Sequence, residues 1–141
     1  MHLEVPAAIY TKMINHIYVS LPNEACGLLF GTIHESGLRF VISAVQTFEN
    51  ISDQPKVSFL IDPEELYKTL CDFEAKELSM VGIYHSHQAP LRPSPSDFQY
   101  MNGYPGIVWL IFSTISSEPN FSSAAFILKR GEVLPVVVLI R

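Results

Sequence analysis

Cysteine is scarce in this chain. Cys26 and Cys71 are the two in 141 residues, too few for the disulfide scaffold of a small secreted domain. Cys26 lies in an apolar run with no base near it in sequence, and Cys71 falls within a helical stretch, so both read as buried structural thiols rather than nucleophiles. Long apolar runs are also missing. The longest, Leu134 to Ile140, is far short of the roughly 20 residues that span a bilayer. The first residues lack a basic segment followed by an apolar one, so no secretory signal is expected. These absences point to a cytoplasmic protein with no membrane contact. Basic charge is thin: nine Lys and Arg stand against fourteen Asp and Glu, a net charge of −5. A nucleic-acid partner, which needs clustered Lys and Arg, is not expected. Repeats, low-complexity tracts and domain linkers are absent, which leaves one domain over residues 1–141.

What is present suits a compact core: 48% of the residues are hydrophobic and 16% charged. Pro6 to Val19 reads as an amphipathic helix, with Ile9, Met13 and Ile17 at helical spacing and Tyr10 and Ile14 beside them. Cys26 to Ile33 and Leu38 to Val45 read as a hairpin turned at Glu35-Ser36-Gly37. A polar loop runs from Thr47 to Lys56, and Val57 to Ile61 reads as a short strand. Asp62-Pro63-Glu64-Glu65 has the form of a helix start, with Leu66, Leu70, Phe73 and Leu78 on the apolar side. Met80 to His87 is a strand, and Ser96 is placed to cap a short helix carrying Asp97, Phe98 and Met101. Ile107–Phe112, Ser123–Leu128 and Val133–Ile140 are three more strands, the last two turned at Lys129 to Glu132. The class is therefore α+β, with a mainly antiparallel sheet covered by two main helices. Trp109, amid Ile107-Val108-Trp109-Leu110, reads as core, and His2, His16 and His34 as surface residues.

The chemistry gathers in Tyr84-His85-Ser86-His87 and Pro93-Ser94-Pro95-Ser96-Asp97. Residues two apart on a strand face the same way, roughly 7 Å apart. His85 and His87 at a strand end can therefore converge on one metal ion, while Ser86 turns to the opposite face. Asp97, returning from a Pro-rich loop, can supply a third ligand. Two His and one carboxylate leave a fourth tetrahedral position for water, as in a catalytic zinc site. The same donors would accept iron or manganese. A bound water needs a base, and Glu24 at the mouth of the apolar run Ala25 to Phe30 is the best candidate.

Glu24, His85-Ser86-His87 and Ser94-Pro95-Ser96-Asp97, in that order, resemble the JAMM/MPN+ zinc metalloproteases, also called the JAB domain. Their signature is a remote Glu, then His-x-His, then Ser-x-x-Asp. Glu24-Ala25-Cys26-Gly27-Leu28-Leu29 also looks like that family's setting for its Glu. The resemblance covers nearly the whole chain. One departure is visible: six residues, Gln88 to Pro93, separate His87 from Ser94 where the family usually has seven, and Gln88 stands where it commonly has Pro.

The resemblance implies the MPN fold, a curved sheet flanked by helices, with one zinc on His85, His87 and Asp97. It implies that Glu24 acts as general base and then general acid, and that Ser94 donates a hydrogen bond to the developing oxyanion. The implied substrate is a ubiquitin-like or sulfur-carrier protein, cut after its C-terminal Gly-Gly. The chain is close to the minimal size of the fold, which favours the small prokaryotic type. The extended tail is expected to dock by adding a strand at a sheet edge near the metal. Two alternatives remain open at this point: a non-catalytic MPN scaffold, and a module that binds ubiquitin-like proteins without cutting them. A nucleobase deaminase is not expected, because His-x-Glu and Pro-Cys-x-x-Cys are missing. The sequence sets no oligomeric state, and a homodimer is allowed.

Overall fold

The computed structural model describes residues 1–115 and 121–141. Its elements, in chain order, are β1 (His2–Val5), α1 (Ala7–Ser20), β2 (Cys26–His34), a 3-10 turn (Glu35–Gly37), β3 (Arg39–Phe48), α2 (Pro63–Glu74), β4 (Ser79–His87), α3 (Pro95–Gly103), β5 (Val108–Ser113), β6 (Ser122–Lys129) and β7 (Glu132–Ile140). No helix among the described residues is long and apolar enough to cross a membrane.

The sheet is a closed barrel in the order β1-β3-β2-β4-β5-β6-β7, not the open curved sheet expected. Closure comes from β1, three of whose four residues pair in parallel with β3 on one side and all four with β7 on the other. Antiparallel pairing joins β2 to β3 and β4, and β6 to β5 and β7, while β4 and β5 are parallel. Antiparallel ladders thus keep only a narrow majority among the described strands. Of the expected elements, Val57–Ile61 is not a strand.

Two apolar clusters lie on opposite faces of the sheet. The first holds Met13, Ile14 and Ile17 of α1 against Leu3, Tyr84, Leu110 and Phe112, so the apolar stripe read from the sequence is the buried one. The second gathers Leu28, Phe30, Ile83 and Trp109 beneath α2 and α3. Phe30 and Phe73 stack face to face there, ring centroids 3.8 Å apart. Asp62 caps α2 by accepting the Glu64 N–H at 3.0 Å, as its sequence start signal requires. An irregularity in the β2–β4 ladder at Leu29/Phe30 shifts register. Beyond it, Ile83 turns to the second cluster and Tyr84 to the first. The alternation that follows carries His85 and His87 toward α3.

Candidate metal centre

His85 and His87 lie at the end of β4, and Asp97 sits in the first turn of α3. All three are buried, and one donor atom from each lies within 4.8 Å of the others. His85 Nε2 is 3.2 Å and His87 Nδ1 is 3.9 Å from Asp97 Oδ2. Tetrahedral zinc with bonds near 2.0–2.1 Å needs donors about 3.3 Å apart, so the set fits a zinc ion with small adjustments.

The neighbouring contacts orient these donors. His87 Nε2–H donates to the Pro90 carbonyl at 2.9 Å, which leaves the Nδ1 lone pair directed toward Asp97. The loop one residue shorter than the family's usual length supplies that carbonyl. It folds back over His87, held by Ser113 Oγ donating to the Ala89 carbonyl at 2.8 Å. The His85 ring stacks on Phe59 at 4.9 Å. Its Nδ1 is buried with no hydrogen-bond partner among the described residues.

Asp97 is fixed from α3 by a capping box, and the cap is Ser94 rather than Ser96. The Ser94 N–H donates to Asp97 Oδ2 at 2.9 Å, and Ser94 Oγ accepts the Asp97 N–H at 3.1 Å. Burial alone would raise the Asp97 pKa, but the His85 ring and Ser94 hold its carboxyl below the usual range. Burial, then the facing His85, pushes His87 down, so its neutral, metal-binding form is favoured.

Glu24 lies just before β2 and is 6% exposed. Burial, with the Asp97 charge adding to it, pushes its carboxyl up from 4.5 to about 8. The buried Asp97 and Glu24 carboxyl groups, beside two imidazoles, make a place where a divalent cation is electrostatically favourable. The backbone of Glu24 is held by a distant loop: its N–H donates to the Pro55 carbonyl at 2.7 Å, and its carbonyl accepts from Asn50 Nδ2 at 3.0 Å.

Other expectations divide. Ser86 faces away from the histidines, buried and bonded to Ala25. Cys26 is buried, and burial followed by the Glu24 charge pushes its thiol up to about 12, which excludes a thiolate nucleophile. Cys71 is exposed rather than buried, because it lies on the outer side of α2. Trp109 is core. His16 is not a free surface residue; its Nδ1 lies 2.6 Å from the buried Tyr84 hydroxyl. Among the described residues the sheet edge expected beside the site is not found, since His85 is paired with Cys26 on one flank and Ile111 on the other. A cleft of about 450 Å³ opens instead between residues 51–60 and α3, with Ser58, Phe59, Ser96, Asp97 and Tyr100 on its walls. Sequence reading passed over Asn50 and Phe59. Glu24, which Asn50 binds, and His85, on which Phe59 stacks, each lie 26 positions away, and nothing in the local pattern marks them.

Comparison with known proteins gives the family. A family model described as prokaryotic homologs of the JAB domain matches residues 6–127. A desampylase from Pyrococcus furiosus is 37% identical over 103 residues, which are 72% of this chain and 68% of that protein. A Thermus thermophilus protein named a probable TtuB-protein conjugate cleaving protease is 30% identical over 138 residues, 97% of this chain and 83% of its own. The solution structure of a protein from Desulfitobacterium hafniense matches with a TM-score of 0.86 at 26% identity, covering 99% of this chain and 92% of the other.

Proposed function

This chain belongs to the prokaryotic homologues of the JAB domain and is a JAMM-type hydrolase, and from that premise we propose that it is a zinc-dependent peptidase or isopeptidase acting after the C-terminal Gly-Gly of a ubiquitin-like or sulfur-carrier protein. The observation that carries the reading is the convergence of His85, His87 and Asp97 donors within 4.8 Å, with buried Glu24 close enough to Asp97 for the two charges to interact. The names of the two relatives, a desampylase and a TtuB-protein conjugate cleaving protease, support a protein conjugate as substrate.

In this reading His85, His87 and Asp97 would hold the metal. Zinc bound there supplies a water whose pKa falls from 15.7 toward about 7 and polarises the scissile carbonyl. Glu24 accepts the proton of the attacking water and returns it to the leaving amine, serving as base and then as acid. Ser94 Oγ donates to the tetrahedral oxyanion. No side chain forms a bond to the substrate, in keeping with the inert Cys26 thiol. A Gly-Gly tail brings no side chains to be excluded from the cleft beside Asp97.

Mass spectrometry tests the proposal. Wild type and Glu24→Gln each meet three Gly-Gly-tailed substrates: a sulfur carrier ending in an extra cysteine, one with a longer extension, and a lysine isopeptide conjugate. Cleavage after the second Gly by wild type alone is expected, and the preferred adduct names the substrate class. No cleavage of any adduct by zinc-loaded wild type rejects the Gly-Gly substrate.

A further inference from the structure

We infer that Asn50 is the positioning residue for Glu24, its side-chain amide joining the 50–60 loop to the backbone of that acid. The inference rests on the reading of Glu24 as the base.

Asn50 makes five side-chain hydrogen bonds. Nδ2 donates to the carbonyls of Glu24 at 3.0 Å, Ser58 at 2.9 Å and Pro55 at 3.3 Å. Oδ1 accepts the N–H groups of Ser52 and Leu60, each at 3.0 Å. Three carbonyls can only accept and two amides can only donate, so the network itself fixes which end of the side chain is nitrogen. With two protons for three carbonyls, one bond is shared.

These bonds matter because Glu24 lies outside regular structure, between the end of α1 and the start of β2. Its two backbone groups reach no strand neighbour. The N–H goes to Pro55 and the carbonyl to Asn50, and Pro55 is itself bonded to Asn50. Both anchors of the base therefore depend on one amide. The same loop carries Phe59, whose ring stacks on His85, so Asn50 sets the base and one wall of the metal centre together. Misplacing a catalytic group by about 1 Å can cost on the order of 100-fold in rate, which is the scale at which one loop tether becomes visible in turnover.

The test combines kinetics with amide exchange. Asn50→Ala is expected to lower kcat on the order of 10- to 100-fold, with little change in KM and unchanged zinc content. In the Glu24→Gln background, adding Asn50→Ala should cause no further loss of residual turnover, because residues acting as a unit are not additive. In metal-free protein, Asn50→Ala should strip exchange protection from the Glu24, Ser52 and Leu60 amides while the Ala25 amide, held by Ser86, keeps its own. Asn50→Ser, which retains one donor and one acceptor, replaces Asn50→Ala if that variant does not fold, and should restore part of kcat. Equal fold-losses with and without Glu24, or an unprotected Glu24 amide with wild-type kcat, would overturn the role of Asn50 alone. Full turnover by the single variant Glu24→Gln would remove the base, and this inference with it.

Discussion

Ala25 and Ser86 are bonded to each other twice: the Ala25 N–H donates to Ser86 Oγ at 2.9 Å, and the Ser86 N–H donates to the Ala25 carbonyl at 3.0 Å. Ser86 stands between the two histidines and Ala25 follows Glu24, so this pair ties the backbone beside Glu24 to the strand that carries His85 and His87. Ser86→Ala strands the Ala25 N–H in a buried setting and is expected to cost about 1–3 kcal/mol in urea unfolding. Turnover should fall while zinc content holds, because the imidazoles are untouched. A variant as stable and active as wild type would show that the tie is dispensable.

Ser94 has two separable tasks in this account. As helix cap it stabilises α3 through the Asp97 N–H; as proposed donor it serves the oxyanion. Replacement of a Ser cap by Ala costs typically about 1 kcal/mol, and by Gly only a few tenths. Ser94→Ala and Ser94→Gly should therefore differ in melting temperature yet lose turnover alike, by roughly 100-fold. Turnover that tracks stability across the pair would reduce Ser94 to a cap.

Burial of Glu24 makes stability depend on pH in a definite direction. Its carboxyl titrates near 8 in the fold and 4.5 in the reference state, so the neutral form suits the folded protein. Its contribution is fully present below pH 4.5 and is lost as pH rises through 8. Metal-free Glu24→Gln, neutral at every pH, should melt with wild type at pH 4 and above it at pH 8.5, by roughly 3–10 °C. Parallel melting curves across that range would show that Glu24 is not a desolvated acid.

Gly27 tests the packing under the site. A Cβ there would meet the Tyr84 ring and lie 2.5 Å from the Gln46 carbonyl, whereas one at Gly103 meets nothing within 4 Å. Gly27→Ala should destabilise by about 1–3 kcal/mol, and Gly103→Ala, at the end of α3, should be neutral or gain up to about 1 kcal/mol. Thermal melts of the two variants check the opposite signs.

The local signals in this sequence proved readable and the distant ones did not. The α1 stripe, the α2 start, the two hairpin turns and the His-x-His spacing each depend on residues within one or two turns of chain. Barrel closure depends on His2–Val5 pairing with residues near 40 and 140, and four residues carry too weak a pattern to announce a strand. Val57–Ile61 has strand composition, but Asn50 binds Ser58 and Leu60 and holds the segment as a loop. Ser94 and Ser96 both lie at the helix start; Ser94, with extended backbone, is the cap, and Ser96 already stands in the first turn. His16 gave no sign of its bond to Tyr84, 68 positions away.

Zinc content and cleavage, measured on the same preparations of wild type, Asp97→Ala and Glu24→Gln, test the central claim most directly. One zinc per chain and cleavage are expected for wild type, loss of both for Asp97→Ala, and zinc retained with nearly all turnover lost for Glu24→Gln. Zinc retained by Asp97→Ala, or wild-type cleavage by Glu24→Gln, would contradict it.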